Sequence, residues 1–424
     1  MEGMDLVRTW FYTSCIFTAS NEEELLMIAK KLVNGLFSTV STCLLFSVSL
    51  GYAQAPFIDP ADDEKHFGPS DNILFWTPEQ QVAGYRNSEK ISDTRRVSSG
   101  NGVLSLPYAR VDLSDVLIQV ENVSMTVDEY FMEQSVAGLL VIKDGDILYE
   151  RYGLGNTEDS KWISFSVSKS LVSMLMGAAI QDGYIESVDE KITDYLPRLK
   201  GSSYDQSSIK NVLQMSSGVA WNEDYADPQS DVARVSWGTT ELYEYLRHKP
   251  RDNAPGDVFN YNTAETNLAG TLLRAAIGNN LSTYLTEKIW KPFGMESDAV
   301  WNLTEAGGGE FGGCCINAIL RDYGRIGLFA LGDGRLADGT EVLAPGWMQE
   351  STRPSKGFSG YGYFWWLTAQ DIFRATGVFG QGIYINREAN VVIAIHSARG
   401  DASKDSDWAL QEALYAAITV AIKD

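Results

Sequence analysis

The sequence predicts a discontinuous α/β domain that is interrupted by a mostly helical domain. Three observations predict this class. Two β-rich arms flank a tight turn at residues 138–152, helical periodicity dominates between about 166 and 354, and strand patterns return after Phe358 before a closing amphipathic helix at 408–423. The chain has 424 residues, of which 44% are apolar, so it can enclose a large core.

We expect the folded domain at residues 56–424, with an α/β part at about 56–165 and 355–424 and a helical part at about 166–354. In the first α/β part, Asp144-Gly145 is a favoured two-residue turn between two strands. Periodicity predicts helices at 167–181, 209–215, 241–247, 267–276, 281–290 and 318–331. The later strands are predicted in the stretches "YGYFWWL", "IFRATGVF", "GIYIN" and "NVVIAIHSA".

The first 55 residues have the pattern of a secretory leader. A short basic start at 27–31 precedes an uncharged apolar stretch at 32–50, and Ala53-Gln54-Ala55 then matches a cleavage site. We interpret residues 27–55 as a signal peptide and residues 1–26 as a non-native extension. A lasting membrane anchor is the alternative, because the apolar stretch approaches spanning length. The expected location is therefore the periplasm or the outside of the cell.

The formal net charge is −22 and the isoelectric point is near 4.6. Such a surface repels nucleic acid and anionic membranes, so we predict neither as a partner once the leader is removed. An acidic soluble enzyme with a small-molecule substrate fits this charge best. The sequence does not predict an oligomeric state.

Cysteine and histidine are scarce. Beyond the leader only Cys314 and Cys315 remain, and adjacent cysteines rarely bridge, so no disulfide is expected. Neither the cysteines nor the three histidines have the spacing of metal ligands. We therefore predict no metal and no cofactor.

A serine and a lysine stand three residues apart in the stretch 162–175, "WISFSVSKSLVSML". Ser166 lies where a strand-like segment meets an apolar helix, so Ser166 and Lys169 share one helical face. Burial lowers the pKa of a lysine, and the neutral amine can then take the proton of a serine hydroxyl. The helix N-terminus also places the Ser166 N–H where an oxyanion forms. A capping serine followed by a snorkelling lysine is the structural alternative.

Other nucleophiles and bases have less support. A second S-x-x-K begins at Ser207, before a helical run, and we interpret Ser207 as a helix N-cap. His66 and His248 lie in polar or charged segments, and His396 ends an apolar strand, where a packed structural histidine is expected. No G-x-S-x-G elbow is present. A Ser-His-Asp triad through His396 therefore lacks local support.

Two further elements fit acyl-transfer chemistry. Tyr261 follows a Pro-Gly turn and precedes a helix, and a phenol near a lysine can pass a proton to a leaving group. Packing at a loop–helix junction is the structural alternative. In the stretch 375–382, "ATGVFGQG", glycines between two strands allow close approach of a ligand. We nominate the N–H of Val378 as the second oxyanion donor.

These three elements, in this order, resemble the serine β-lactamase and penicillin-binding superfamily. Ser166 and Lys169 match its S-x-x-K motif, Tyr261-Asn262-Thr263 stands where class C enzymes have Y-x-N, and Ala375-Thr376-Gly377 stands where they have K-T-G. The stretches "FNYNTAETN" and "GVFGQGIYI" are similar to the branch of esterases and 6-aminohexanoate-dimer hydrolases. The resemblance covers residues 72–423. It implies a β-lactamase-like fold with an antiparallel sheet flanked by helices.

The resemblance also implies substrate-binding roles. Tyr225 matches a tyrosine that contacts the amide in the dimer hydrolases, Asp231 is a candidate in the same loop, and Thr263 and Gly377 belong to the second and third motifs. Two departures matter. The third motif has Ala375 instead of lysine, the cation that helps to hold the carboxylate of a β-lactam. The second motif ends in threonine instead of asparagine, which changes its contacts to a substrate amide.

We therefore predict a serine hydrolase that cleaves a small carboxylic ester or amide through a Ser-Lys-Tyr acyl-enzyme mechanism, similar to 6-aminohexanoate-dimer hydrolase. Ser166, Lys169 and Tyr261 are its predicted catalytic residues. A D,D-peptidase or β-lactamase is the first alternative, and a catalytically silent envelope binding protein is the second.

Overall fold

An antiparallel sheet of six strands forms the centre of the protein in the computed structural model, which describes residues 55–400, 402 and 404–423. The strands of these residues are β1 (Thr94–Val97), β2 (Leu117–Val120), β3 (Val123–Thr126), β4 (Val136–Lys143), β5 (Asp146–Tyr152), β6 (Lys161–Ile163), β7 (Ala299–Asn302), β8 (Ile316–Ile319), β9 (Trp366–Ala369), β10 (Ile372–Thr376), β11 (Gly382–Asn386) and β12 (Val391–Ser397). The central sheet has the order β5-β4-β12-β11-β10-β9, a second sheet has the order β1-β7-β8-β6, and β2 pairs with β3.

Helices cover the central sheet and are the main regular elements of the chain between β6 and β9. The α-helices are α1 (Pro78–Tyr85), α2 (Ser88–Ile91), α3 (Val127–Glu133), α4 (Val167–Gln181), α5 (Ile192–Tyr195), α6 (Ile209–Leu213), α7 (Asp231–Arg234), α8 (Thr239–Arg247), α9 (Thr263–Ile277), α10 (Leu281–Leu285), α11 (Lys291–Phe293), α12 (Leu320–Leu331), α13 (Trp347–Ser351) and α14 (Asp405–Ala421). Short 3₁₀ helices lie at Pro60–His66, Ser70–Phe75, Pro197–Leu199 and Ser203–Gln206, and Thr286–Trp290 is π-helical. The predicted antiparallel sheet flanked by helices is confirmed.

The neighbouring strands β4 and β12 of the central sheet are buried on both faces. Successive side chains of a strand point to opposite faces. Leu139 and Val141 therefore pack in one cluster with Leu414 of α14, whereas Leu140 and Ile142 pack in another with Leu320 of α12. Helices on both sides explain why these strands are continuous apolar runs without polar alternation.

Helix α4 lies in the middle of the core, and its residues from Val167 to Ala179 are all buried. A helix that is apolar on every side is stable only when other elements surround it. Here α9 and β10 pack against it, within the larger core cluster. The N-terminus of α4 is thereby held rigidly beside β10, at the position of Ser166.

The structure differs from the sequence predictions at several elements. The segment at 281–290 is an α-helix followed by a π-helical turn, and the predicted helix at 318–331 begins only after β8. Strands β7 and β8 were not predicted, because they are four residues long and buried at every position, without alternation. The strand predicted in "YGYFWWL" begins only at Trp366, since Phe364 has a φ of 58° and interrupts the extended backbone.

The expectation about the cysteines is wrong, because Cys314 and Cys315 form a disulfide. Cys315 adopts a φ of 96°, in the region that L-residues rarely occupy. Both side chains are buried. The pair follows Gly313, whose carbonyl faces Lys169.

Arg86 ties the N-terminal segment to the domain. Its Nε and Nη2 atoms each donate to Asp63 at 2.7 Å, and its other N–H groups reach the carbonyls of Leu154 and Ile58. Both charged side chains are at least 96% buried. We expect Arg86→Ala to lower the free energy of unfolding by about 3 kcal/mol or more, because it leaves a buried carboxylate without its cation. Urea denaturation measures this change.

The matched control is Lys65→Ala, which removes an ion pair with Asp62 that is exposed on both sides. This variant is expected to unfold at the same urea concentration as the wild type, because exposed pairs contribute little. Equal losses in the two variants would contradict the assignment of Arg86 as a buried tie.

Among the described residues, no helix is both long enough and apolar enough to cross a bilayer. The residues that we interpret as a signal peptide, 27–55, lie outside the described part except for Ala55.

Candidate active site

A sharp turn between β6 and α4 presents Ser166 at the surface of the core. The residue before it, Phe165, has a φ of 45°, which is an outlier for a bulky side chain. Ser166 is the N-cap residue of α4, and no backbone N–H of the helix occupies its hydroxyl. The side chain is therefore free for chemistry, and the alternative of a capping serine does not hold.

Lys169 lies one helical turn further and is 1% exposed. Its Nζ is 3.1 Å from the Ser166 Oγ, 3.0 Å from the Thr263 Oγ1 and 2.7 Å from the carbonyl oxygen of Gly313. Burial lowers the pKa of Lys169 to about 7, and the negative charge of Glu223 opposes this shift. A substantial fraction of the amine is therefore neutral near pH 7, and the lysine does not snorkel to solvent.

Tyr261 precedes α9, and its ring centre is 5.3 Å from the Lys169 Nζ. It stacks on Trp366 with a centroid distance of 5.6 Å, which fixes the plane of its ring. Burial raises the pKa of the Tyr261 phenol far above its usual value, although its interaction with Ser166 opposes the shift. Tyr261 therefore remains a neutral phenol, suited to donating or relaying a proton.

Strand β10 forms another part of the cleft wall. Arg374 and Thr376 line the cleft, whereas Ala375 points into the core and is 2% exposed. At Gly377 a Cβ would lie 2.5 Å from the carbonyl oxygen of Ser164 and 2.6 Å from the Gln381 Oε1, so only glycine fits this approach. The cation of this strand that reaches the cleft is Arg374, which is ion-paired with Glu412.

The cleft encloses about 400 Å³, and Ser166 lies in its wall. Six of its eleven lining residues are aromatic or aliphatic: Tyr225, Tyr261, Trp366, Val378, Ala402 and Trp408. Polar groups are confined to a few positions, as is usual for a small-molecule site. The arrangement suits an acyl group of modest size with an apolar surface.

The structure brings most predicted site residues together, but not Asp231. Tyr225, Gly377 and Val378 line the cleft, and Thr263 contacts Lys169. The carboxylate of Asp231 instead forms an ion pair with Lys249 at 2.8 Å. This ion pair holds Asp231 outside the residues that line the cleft, and its role in substrate binding stays a prediction.

Sequence reasoning missed Glu223, which lines the cleft beside Ser166. Its Oε1 accepts hydrogen bonds from the hydroxyls of Tyr225 (2.6 Å) and Thr263, and its Oε2 accepts from the Thr263 N–H (3.0 Å) and the Trp221 Nε1. The available signal was weak. Trp221, Glu223 and Tyr225 alternate with polar residues, which places all three on one side of an extended segment.

Ser207, the competing nucleophile, and His396, the competing base, both lie in surroundings that do not suit catalysis. Ser208, not Ser207, caps α6, and the Ser207 hydroxyl is buried against the carbonyl of Ser217, so the predicted N-cap was wrong by one residue. His396 is fully buried between Trp162 and Tyr323. Burial lowers its pKa to about 3. A triad through His396 therefore has no geometric support.

Within the part of the chain that the structure describes, no group of three or more His, Cys, Asp or Glu side chains is arranged to hold a metal ion.

The fold and the site define a serine hydrolase with a lysine beside its serine. The chain belongs to the Beta-lactamase family, whose model matches residues 127–417. It is therefore a serine hydrolase of the β-lactamase and penicillin-binding superfamily, as the three motifs predicted.

Individual relatives agree with this assignment. A 6-aminohexanoate-dimer hydrolase of Paenarthrobacter ureafaciens is 28% identical over 292 residues, which cover 63% of this chain and 74% of that protein. A β-lactamase of Pseudomonas fluorescens is 26% identical over 183 residues, 41% of this chain and 49% of that protein.

Solved structures show the same fold. A Bacillus anthracis protein described as a 6-aminohexanoate-dimer hydrolase superposes with a TM-score of 0.73 at 21% identity, covering 81% of this chain and 95% of that chain. A class C β-lactamase superposes with a TM-score of 0.52 at 18% identity, covering 68% and 93%.

Proposed function

We propose that the protein hydrolyses small carboxylic esters or amides through an acyl-enzyme on Ser166. The observation that carries this proposal is the 3.1 Å contact between the Ser166 Oγ and the buried amine of Lys169, at the wall of an apolar cleft. A buried lysine with a pKa of about 7 is a base matched to neutral pH.

In the proposed mechanism Lys169, assisted by Tyr261, takes the proton of Ser166 as its Oγ attacks the substrate carbonyl carbon. The N–H groups of Ser166 and Val378 stabilise the oxyanion. Within the described residues neither N–H is donated to a protein acceptor, so both are available. Tyr261 or Lys169 then protonates the leaving group, and water hydrolyses the acyl-enzyme.

For the substrate we propose a linear ester or amide like that of 6-aminohexanoate-dimer hydrolase. A curated relative of that name supports this choice, as does Tyr225 in the cleft wall. The roles of Tyr225, Thr263 and Gly377 in substrate binding rest on the same relationship. No cofactor or metal takes part in the proposed reaction. The proposed export of the chain rests on the leader sequence alone.

Action on β-lactams or cell-wall peptides is the second candidate. One observation favours it, because Arg374 lines the cleft and could meet a substrate carboxylate. Its ion pair with Glu412 and the buried Ala375 at the position of the usual lysine make it the weaker candidate.

The test of the main proposal is the intact mass of the protein after incubation with a fluorophosphonate probe. We expect one adduct on the wild type and none on Ser166→Ala. Ser207→Ala, which removes the serine of the second S-x-x-K, should still be labelled. An adduct that survives Ser166→Ala would move the nucleophile elsewhere. An unlabelled wild type would favour a silent binding protein.

A further inference from the structure

The three oxygens around Lys169 determine where its lone pair can point. As an ammonium group, the Nζ donates one hydrogen to each of Ser166 Oγ, Thr263 Oγ1 and Gly313 O. The neutral amine has two hydrogens and one lone pair. It can take a proton from Ser166 only if the lone pair faces Ser166 and both hydrogens go to the other two oxygens.

Of these two oxygens, only one is an acceptor under all conditions. The Gly313 carbonyl has no hydrogen to donate, so it always accepts. The Thr263 hydroxyl can accept or donate. If Thr263 donated its hydrogen to Lys169, it would occupy the lone pair that must receive the Ser166 proton.

Glu223 settles this choice. Its carboxylate accepts both the hydroxyl and the backbone N–H of Thr263. Because the threonine hydrogen is directed to Glu223, the lone pairs of Oγ1 face Lys169. Donors from Trp221 and Tyr225 occupy the remaining sites of the carboxylate. Four donors on two oxygens hold it rigidly and leave it little capacity for a substrate.

We propose that Glu223, acting through Thr263, is a positioning residue that directs the lone pair of neutral Lys169 to Ser166. This inference rests on the proposed function of Ser166 and Lys169. It also explains why threonine can replace the asparagine of the second motif. An asparagine side chain has a separate acceptor oxygen and donor nitrogen, whereas a hydroxyl needs a fixed acceptor to choose its role.

The amide in Glu223→Gln cannot accept all four donors. At the Oε2 position its NH₂ group would face two fixed donors, the Thr263 N–H and the Trp221 Nε1–H. At the Oε1 position it faces the hydroxyls of Thr263 and Tyr225, which can turn and accept. The threonine then accepts from Gln and donates to Lys169, which diverts the lone pair. We expect the maximal rate of Ser166 modification to fall by about 10- to 100-fold, with little change in the concentration of reagent at half-saturation.

A second signature comes from charge. The charged and titratable groups that face Lys169 are Glu223 and the neutral phenol of Tyr261. Because the Glu223 charge raises the pKa of Lys169, its removal should move the acid limb of the pH profile to lower pH. The shifted limb reports the lost charge, whereas the lower plateau and its dependence on the residue at position 263 report the direction of the lone pair.

The experiment measures the rate of phosphonylation of Ser166 by the fluorophosphonate probe, followed by intact mass, from about pH 5 to about pH 10. Variants are Glu223→Gln, Thr263→Val, Thr263→Asn and the double variant Glu223→Gln/Thr263→Asn. Thr263→Val, which keeps the shape without the hydroxyl, should lose rate like Glu223→Gln. In the Thr263→Asn background, Glu223→Gln should lower the rate of phosphonylation by less than about 3-fold. The asparagine oxygen can accept the hydrogen of Lys169 without an acceptor that orients it.

Asp224→Asn is the matched control. It removes one negative charge from the same loop, at an exposed side chain that accepts the Ala226 N–H. Its profile should match the wild type. The inference is overturned if Glu223→Gln keeps the wild-type phosphonylation rate and pH profile. It is also overturned if Glu223→Gln lowers the rate by the same factor with threonine and with asparagine at position 263. If Glu223→Gln does not fold, a wild-type rate in Thr263→Val overturns it. Labelling that persists in Ser166→Ala would instead defeat the proposed function itself.

Discussion

Replacing Lys169 by methionine is expected to lower kcat/KM for ester or amide hydrolysis by about 10⁴-fold at neutral pH. Methionine keeps the length and apolar contacts of the buried stem, so the core around α4 stays packed. What it removes is the amine 3.1 Å from the Ser166 hydroxyl, the base in the proposed mechanism. Steady-state rates at saturating and limiting substrate measure the effect, which should fall on kcat.

The wild type should show the corresponding pH dependence. Lys169 acts only as the neutral amine, so kcat/KM is expected to rise with pH through a midpoint of about 7. No fall is expected at moderately alkaline pH, because burial raises the pKa of Tyr261 and the phenol stays neutral. Lys169→Met should lose this acid limb.

Lys210→Met is the control for this prediction, because Lys210 belongs to the second S-x-x-K and lies away from the cleft lining. Its activity and pH profile should match the wild type. If Lys169→Met retained activity within about 10-fold of the wild type, Lys169 would not be the base.

Most of the fold could be predicted from the sequence, because turns and helical periodicity are local patterns. The two-residue turn at Asp144-Gly145 predicted the hairpin of β4 and β5, and uninterrupted apolar periodicity predicted α4 with both of its ends. Short elements such as β7 and β8 have no periodicity of their own. Their identity is set by partners distant in the chain, which a single sequence does not reveal.

The site could be predicted to the extent that it follows from motifs. Ser166 and Lys169 are one helical turn apart, so their contact follows from spacing alone. Glu223 and Asp231 are both acids in one polar stretch of the sequence, and only long-range contacts distinguish them. Lys249 holds Asp231, whereas Glu223 accepts hydrogen bonds from Thr263, which contacts Lys169. Backbone acceptors such as the Gly313 carbonyl carry no sequence signal.

Departures from the family pattern were the most informative positions. The loss of lysine at Ala375 was visible in the sequence, but the presence of Arg374 in the cleft depends on which face of β10 each side chain occupies. Thr263 was noted only as a shorter group. Its pairing with Glu223 gives that change a physical reason that the motif alone could not supply.

Glu265→Gln is expected to make the protein more stable than the wild type at alkaline pH. Glu265 lies in the first turn of α9, directly behind the site, and is 1% exposed. It accepts a hydrogen bond from Ser217, while among the described residues its Oε2 has no partner. Burial raises the pKa of Glu265 to about 8, from about 4.5 in an accessible chain.

The sign follows from proton binding. Between about pH 4.5 and about pH 8 the folded protein holds a proton on Glu265 that the unfolded chain has released. The contribution of Glu265 to the stability of the wild type is therefore fully present below about pH 4.5 and is lost as the pH rises through about 8. Lys169 acts in the opposite direction, since its lowered pKa makes stability rise with pH between about 7 and 10.5.

Urea denaturation of the wild type and Glu265→Gln at about pH 5 and about pH 9 isolates Glu265, because the contribution of Lys169 is common to both. Glutamine cannot ionise, so its advantage should grow by on the order of 3 to 5 kcal/mol between the two pH values. Glu287→Gln, at an exposed position, should follow the wild type at both. Parallel behaviour of Glu265→Gln and the wild type would show that the buried carboxyl is already ionised near neutral pH, and that its neighbours rearrange to accommodate the charge.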